Sequence, residues 1–258
     1  SMKKYLIVSG CSWGDPNFIS AEHPDMDTSW KMWPEILAEK LDMKLINLCK
    51  SGQGQEYIYS TLIDKLQTIP ISQIGLMIAA WSTAPRRDYQ MSGFQTKKQL
   101  WTADQFDWRG CIEYWIDRSM RYYYSFQSVM ELHRIPYRQI QMVHLYTGYM
   151  WEQLNKRQNR HYDKNDNEDL LQGDDYVFKQ EYKEHCKEQV LNSPYYNKIN
   201  KNFIDWDSVY VPNEVRPKNL FGDYELRCDY VERISEKDKH PNENGQRTIA
   251  ETIYDRLG

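Results

Sequence analysis

The chain has 258 residues, a formal net charge of -4 and a sequence pI near 5.9. That length allows one α/β domain to bury a sizeable core without disulfide staples. A sequence-independent nucleic-acid binder needs a basic face that displaces counterions from phosphates. The acidic balance of this chain argues against that class, and we expect no nucleic-acid partner.

Strands separated by helices recur along the first part of the chain, and a final helix closes it. Apolar runs and one alternating segment predict the strands, which are 4–8, 44–48, 74–80 and 139–146. Apolar residues at helical spacing predict the helices, which are 34–41, 56–66, 110–133 and 247–257. This order predicts an α/β fold with a parallel sheet, in which ligands bind at the carboxyl ends of the strands.

The pattern weakens between about 150 and 237, where polar stretches surround two better-defined segments. Of these, 175–190 suits a helix and 203–211 suits a strand. We interpret 150–237 as a cap or insertion within a single domain that spans 2–258. A small separate subdomain is the alternative interpretation.

Cysteine content and hydropathy indicate the compartment in which we expect the protein. The five cysteines are odd in number and scattered, with no C-x-x-C pair and no zinc-ligand spacing, which favours a reducing compartment. No apolar stretch approaches the roughly 18 residues that a membrane span needs. We therefore expect a soluble protein without a visible export signal, in the cytoplasm or in the cytoplasm of a host cell.

Three polar segments are predicted to meet at the carboxyl edge of the sheet. They are Gly10-Cys11-Ser12-Trp13-Gly14, Ser51-Gly52-Gln53-Gly54 and Asp238-Lys239-His240-Pro241-Asn242. A serine in a tight turn after the first strand can present its hydroxyl there, where backbone N–H groups stabilise an oxyanion. A histidine can take the serine proton, and a carboxylate beside it fixes the imidazole tautomer.

In their order and context these segments resemble the motifs of the SGNH (GDSL-like) hydrolase superfamily. Ser12 corresponds to the nucleophile, Gly52 to the glycine after the second strand, and Asp238 with His240 to the terminal acid–base pair. The resemblance implies a three-layer α/β/α, flavodoxin-like fold and ester hydrolysis through an acyl-enzyme. It also implies that the backbone N–H groups of Ser12 and Gly52 hold the oxyanion, and that no metal or organic cofactor takes part.

Two positions depart from the family pattern. Cys11 stands where the family commonly has aspartate before the serine, and Ser82 stands where it has asparagine after the third strand. Cys11 is an alternative nucleophile, although its small size favours a packing role. Ser82 is a candidate third oxyanion donor, but a hydroxyl reaches less far than an amide. Losing one oxyanion donor lowers the rate roughly 100- to 1000-fold. A slow enzyme, a remodelled site and a lapsed site are therefore all alternatives.

The acid–base spacing also differs from that of many relatives. Asp238 lies two residues before His240, whereas many relatives place the aspartate three residues before, where this chain has Lys237. Both spacings can work in a loop, because loop backbone can adapt its path. Glu236 is the alternative residue for orienting the histidine.

Three further side chains are candidates for substrate binding: Trp13, Trp81 and Arg86. Aromatic residues make up 14% of an otherwise hydrophilic chain, and Tyr and Trp suit clefts that bind sugars, although ordinary packing is the alternative for each. Arg86 could clamp an acidic group or belong to a solvated rim.

The resulting hypothesis is a serine esterase that acts on a glycan ester or another small ester. The aromatic content and the hydrophilic cap favour a small acyl group such as acetate on a carbohydrate over a long-chain lipid. A catalytically lapsed protein that binds glycans or a partner, and an O-acyltransferase, are the alternatives. A nucleotide site is disfavoured, because neither glycine-bearing turn completes a P-loop or a dinucleotide fingerprint.

Overall fold

The computed structural model describes residues 2–93, 98–104, 110–146, 173–206 and 231–258. Its strands are β1 (Tyr5–Ser9), β2 (Lys44–Asn47), β3 (Ile74–Trp81), β4 (Arg87–Gly93), β5 (Lys98–Asp104) and β6 (Tyr137–Gln141). Its helices are α1 (Trp33–Leu41), α2 (Gln55–Leu66), α3 (Ile112–His133), α4 (Gly173–Leu191) and α5 (Glu243–Asp255). None of the helices in this described part has the length and apolar character needed to cross a bilayer.

The main sheet is buried on both faces, as its continuous apolar runs predict. Along β1, Ile7 lies in one core with side chains from α2, α3 and α4, whereas Leu6 and Val8 lie in a second core with α1 and α5. All three side chains are fully buried. Successive side chains of a strand point to opposite faces, so a strand covered on both sides has no polar face. The sheet therefore forms the middle layer between two layers of helices.

The strand order reverses beside β1. This strand pairs in parallel with β2 on one side and with β3 on the other, and β3 pairs in parallel with β6. The carboxyl ends of β1 and β3 thus flank the crevice in which open α/β sheets bind their ligands. The predicted α/β fold with a parallel sheet is confirmed, and the strand order is flavodoxin-like over these four strands.

The last strand of the sheet is shorter than the pattern at 139–146 predicts. β6 begins two residues earlier and ends at Gln141. Beyond it, the N–H groups of Met142 and Val143 both donate to Trp81 O, at 3.0 and 3.3 Å. Two successive donors on one carbonyl break the regular ladder, so the alternating residues that follow are not strand.

An antiparallel hairpin of β4 and β5 has no counterpart among the predicted strands. Its strands read RDYQMSG and KQLWTAD, in which polar residues interrupt the apolar ones, so neither strand has a continuous apolar run. Met91 and Leu100 lie opposite each other and are both exposed. Lys50 Nζ donates to Trp101 O at 2.7 Å, and the Trp101 ring packs edge-on against Tyr57 at 5.3 Å. These contacts place the hairpin beside the loop that follows β2.

Part of the segment predicted as a cap, 150–237, packs in the main core. The predicted helix at 175–190 is confirmed by α4, which packs against α3. Its Tyr182, Cys186 and Val190 are buried in the same core as the side chains of α2 and α3. This described part is therefore continuous with the domain.

The chain after α4 runs beside β6. Gln139 N donates to Asn202 O at 2.9 Å, and Ile204 N donates to Gln139 O at 2.8 Å, which forms a parallel bridge at Phe203. The strand predicted at 203–211 is not seen in its described part, because Phe203 forms an isolated bridge and 204–206 is turn and 3-10 helix. The rest of that segment and much of the predicted cap lie outside the described residues, so those assignments stay predictions.

The last helix begins four residues before the predicted segment 247–257 because its amino end is capped. Asn242 precedes α5, and its side-chain oxygen accepts a hydrogen bond from Gly245 N at 2.9 Å. Asparagine is among the preferred residues at this position, since it satisfies a helix N–H that has no partner within the helix. The cap fixes where the acid–base segment turns into the helix.

Gln246 docks this helix onto the beginning of the chain. Its side-chain oxygen accepts from Trp33 N at 2.7 Å, and its amide nitrogen donates to Trp13 O at 2.9 Å. The side chain is 1% exposed, so neither backbone group has water as a substitute partner. The contact therefore holds the amino end of α5 against the loop that follows β1.

The substitution Gln246→Leu tests this contact, because leucine keeps much of the volume but removes the hydrogen bonds that Gln246 makes to two buried backbone groups. Each such group costs about 1–3 kcal/mol, so the free energy of unfolding should fall by about 2–6 kcal/mol. Urea denaturation measures it, with Glu251→Gln on the exposed side of the same helix as control. Equal stability of the two variants would show that the contact is unimportant.

Candidate active site

Ser12 lies in the turn directly after β1. A Cβ at Gly10 would lie 3.1 Å from Ala80 Cβ and 3.2 Å from Ala80 O, so this close approach to β3 suits glycine. Gly14 N donates to Cys11 O at 3.2 Å and closes the turn. The turn therefore holds the Ser12 hydroxyl at the carboxyl edge of the sheet, next to the end of β3.

Ser12, His240 and Asp238 form a continuous chain of hydrogen bonds. Ser12 Oγ lies 2.8 Å from His240 Nε2, and His240 Nδ1 lies 2.6 Å from Asp238 Oδ1. Because an ionised carboxylate only accepts hydrogen bonds, Nδ1 carries the proton and Nε2 accepts from the serine hydroxyl. This is the relation of nucleophile, base and orienting acid in which a serine is activated.

The two-residue spacing between Asp238 and His240 is accommodated by a local turn. His240 N also donates to Asp238 Oδ1, at 3.0 Å, so one carboxylate oxygen holds both the ring and the backbone of the histidine. Glu236 and Lys237 are exposed on the same segment. Asp238, and not Glu236, is the residue that contacts the histidine ring.

Asp238 is a buried negative charge. Burial by itself raises the pKa of this carboxyl, but hydrogen bonds from the side chains of His240 and Ser20 and from His240 N outweigh it and lower the pKa to about 2. The side chain is 4% exposed. It is therefore ionised at neutral pH and accepts the hydrogen bond from His240 Nδ1.

The His240 ring also has an aromatic neighbourhood. The ring of Phe18 lies 4.6 Å from it between centroids, and the ring of Trp13 lies 6.5 Å away. Both aromatic side chains are buried. They belong to the loop between β1 and α1, so this loop carries Ser12 and also packs against His240.

The loop that carries Gly52 is tied to the Ser12 turn. Asp15 Oδ2 accepts from Ser51 N at 2.8 Å and from Ser51 Oγ at 2.7 Å, and Lys50 N donates to Gly10 O at 3.0 Å. Gly52 has a φ of +80°, a conformation that favours glycine. Within the described part of the chain, its N–H and that of Ser12 donate to no acceptor.

Asp88 of β4 fixes the other end of this loop. Its carboxylate accepts from Gly54 N, at 2.7 and 2.9 Å to its two oxygens, and from Tyr57 N at 3.0 Å. Burial raises the pKa of Asp88, and these backbone hydrogen bonds oppose the shift. The amino end of α2 is thereby capped from the hairpin. No sequence motif marks Asp88 or Asp15, because the contacts that tie them to the Gly52 loop join distant parts of the chain.

Ser82 lies at the end of β3 and is fully buried. Its backbone N–H donates to Gln55 Oε1 at 2.9 Å, and its carbonyl accepts from Gln55 Nε2 at 2.6 Å and Gln141 Nε2 at 2.8 Å. Its hydroxyl accepts from Arg86 Nη1 at 2.9 Å, and the same nitrogen donates to Gln53 O at 3.0 Å. Arg86 therefore links Ser82 to the Gly52 loop. Of Ser82 and Arg86, Arg86 is the more exposed.

The other predicted site residues occupy different surroundings. Trp81 is fully buried, and its indole N–H donates to Gln139 Oε1 at 2.9 Å, which places it in the core and away from any surface that a ligand could reach. Trp13 is 5% exposed beside His240. Cys11 is 1% exposed and packs in the second core, as expected of a packing residue.

No protein-family model and no curated protein matches the chain. Among solved structures, a protein of the G-D-S-L lipolytic family from Desulfitobacterium hafniense DCB-2 is similar over 98% of this chain and 99% of its own, with 14% identity and a TM-score of 0.43. The acetyl xylan esterase AlAXEase is similar over 97% and 98%, with 11% identity and a TM-score of 0.42. At this distance neither assigns an activity or a substrate.

The features of the chain itself define its structural class. The parallel sheet has the flavodoxin-like strand order, and its carboxyl edge carries Ser12 after the first strand and the Gly52 loop after the second. The Asp238–His240 pair precedes the last helix and contacts Ser12. The chain therefore has an SGNH-like fold.

The pH dependence of stability tests the charge on Asp238. Its pKa falls from an ordinary 3.8 to about 2 on folding, so its stabilising contribution is present above the unfolded value and is lost as the pH falls through the folded one. The shift corresponds to about 2 kcal/mol. Asp238→Asn should therefore be less stable than wild type at neutral pH, with the difference shrinking between about pH 4 and about pH 2. A difference independent of pH, measured by chemical denaturation, would contradict this assignment.

Proposed function

We propose that the chain is a serine esterase or acylhydrolase in which Ser12 forms an acyl-enzyme. The observation that carries the proposal is the hydrogen-bond chain from Ser12 through His240 to Asp238. Ser12 Oγ lies 2.8 Å from His240 Nε2 although the two residues are 228 positions apart, and His240 Nδ1 lies 2.6 Å from Asp238 Oδ1. Both distances lie in the range over which protons are transferred between catalytic groups. A serine that served only as a turn residue would not need this arrangement.

The proposed reaction has two halves. His240 takes the proton from Ser12 Oγ as the oxygen attacks the ester carbonyl, and the tetrahedral intermediate then expels the alcohol, which receives that proton from His240. Water next attacks the acyl-enzyme while His240 takes its proton. Collapse of the second intermediate releases the acid and returns the proton to Ser12 Oγ. Asp238 stays ionised throughout and stabilises the imidazolium.

The backbone N–H groups of Ser12 and Gly52 are the proposed oxyanion donors. Both lie at the carboxyl edge of the sheet and have no acceptor within the described residues, which leaves them available to a developing negative charge. The third donor is proposed to come from Ser82 together with Arg86. Since Ser82 is fully buried beneath a more exposed Arg86, the guanidinium is the group of this pair that a substrate oxygen would meet.

The proposed substrate is a small acyl ester, such as an acetyl group on a carbohydrate. Support comes from side chains beside the Gly52 loop: Trp101 and Tyr57 pack together there, and Trp101 is only half-buried. An aromatic ring with a polar edge suits the apolar face of a sugar. Trp81 gives no support, because it lies in the core.

A fluorophosphonate probe tests the nucleophile. Wild type should be labelled covalently and Ser12→Ala should not, and ester turnover by Ser12→Ala should fall by about a thousandfold or more. Cys11→Ala is the matched control, because Cys11 is the adjacent residue and is buried in the core. Equal labelling of wild type and Ser12→Ala, or loss of labelling only in Cys11→Ala, would contradict the proposal.

The acyl specificity is tested by comparing acetylated oligosaccharides with long-chain esters. The proposal predicts faster release of acetate than of a long-chain acid, in both cases lost in His240→Ala. Faster hydrolysis of the long-chain ester would overturn the substrate assignment.

Adding an acceptor sugar separates the alternative functions, since transfer of the acetyl group to that sugar would identify an acyltransferase. Glycan binding without turnover of any ester would identify a lapsed enzyme.

A further inference from the structure

The two carboxylate oxygens of Asp238 have different partners. Oδ1 accepts from His240 Nδ1 at 2.6 Å and from His240 N at 3.0 Å. Oδ2 accepts from Ser20 Oγ at 2.5 Å. Ser20 belongs to the loop between β1 and α1 and is fully buried, so water does not compete for this hydroxyl. The oxygen that does not contact the histidine is therefore held by a separate part of the chain.

The direction of the Ser20 hydrogen bond is fixed by its surroundings. His23 N donates to Ser20 Oγ at 3.0 Å, which occupies an acceptor position of the hydroxyl. The hydroxyl proton is then free for Asp238 Oδ2, which as part of an ionised carboxylate can only accept. Hydrogen bonds to a charged acceptor are shorter and stronger than neutral ones, in keeping with the short distance.

We propose that Ser20 is a positioning residue for the reaction, which holds the Asp238 carboxylate so that Oδ1 stays aligned with His240 Nδ1. The proposal rests on the proposed esterase function and deepens it. Without the hydroxyl, Oδ2 would be a buried charged acceptor without a donor, and the carboxylate would rotate towards other groups. The imidazole would then spend less time in line with Ser12.

Two further contacts show that the loop acts on the acid–base segment as a unit. Phe18, two residues before Ser20, packs its ring against His240 at 4.6 Å. His23 Nε2 lies 2.7 Å from Ser235 Oγ, and Ser235 Oγ in turn accepts from Asp238 N at 3.0 Å. The loop thus contacts the His240 ring, the Asp238 carboxylate and the Ser235 side chain, and Ser20 is its contact to the carboxylate.

The first test compares Ser20→Ala with a matched control. Ser20→Ala should lower kcat for ester hydrolysis by about 10- to 100-fold with little change in KM, because the substrate contacts remain while the base is misaligned. Ser20→Cys, of similar size but with a weak donor, should show the same loss and serves where the alanine variant does not fold. Ser29→Ala removes an exposed serine that bonds Asp27 on the same loop and should match wild type.

A double-mutant cycle separates positioning from general structural support. If Ser20 acts through Asp238, adding Ser20→Ala to Asp238→Asn should lower the rate of fluorophosphonate labelling by no more than about twofold beyond Asp238→Asn alone. Full additivity of the two losses would overturn the proposal, because Ser20 would then act by another route.

An NMR readout keeps this inference separate from the esterase proposal. A His240 Nδ1 proton shared with a carboxylate should give a resolved downfield resonance in wild type and in Ser29→Ala, whether or not any ester is turned over. We expect that resonance to shift upfield or broaden in folded Ser20→Ala or Ser20→Cys. An unchanged resonance would overturn the role of Ser20. A shifted resonance in a protein that labels with no probe would overturn the esterase function alone.

Discussion

The structure depends on one constraint: the turn after β1 must hold Ser12 against His240, which lies 228 positions later in the chain. Neighbouring strands alone do not provide this contact, because the acid–base segment is not part of the sheet. Gln246 stabilises the contact between Ser12 and His240 by donating to Trp13 O in the turn and accepting from Trp33 N at α1. The hydroxyl of Ser20 stabilises the same contact by donating to the Asp238 carboxylate, which orients the histidine.

The loop between β1 and α1 is therefore the common element of the site. It supplies Ser12, it holds the Gly52 loop through Asp15, and it packs Phe18 against the His240 ring. A buried carboxylate such as Asp238 is costly unless each oxygen has a donor, and the loop supplies one of those donors. The same hydrogen bonds thus stabilise a charge in the fold and set the geometry that the proposed reaction needs.

The sequence predicts the features of this molecule that depend on local residue patterns. Apolar runs locate the strands because a sheet buried on both faces needs them, and the order of the motifs locates Ser12, Gly52 and the acid–base pair. It does not predict the hairpin, because polar residues interrupt the apolar ones in both of its strands. The sequence also does not predict the roles of Ser20, Asp15 and Gln246, because each role depends on a hydrogen bond to a distant loop or helix. Trp81 looks like a site residue in sequence, yet it ends β3 on the side that faces the core.

The central claim is that Ser12 carries the acyl group, and trapping the acyl-enzyme tests it most directly. An activated acetyl ester, quenched with acid within the first turnover, should leave one acetyl group on the protein, and peptide mass spectrometry should place it on Ser12. His240→Ala should accumulate much less of it. Acetyl found on Cys11, or a wild-type protein that hydrolyses the ester without ever carrying the acetyl group on Ser12, would contradict the account.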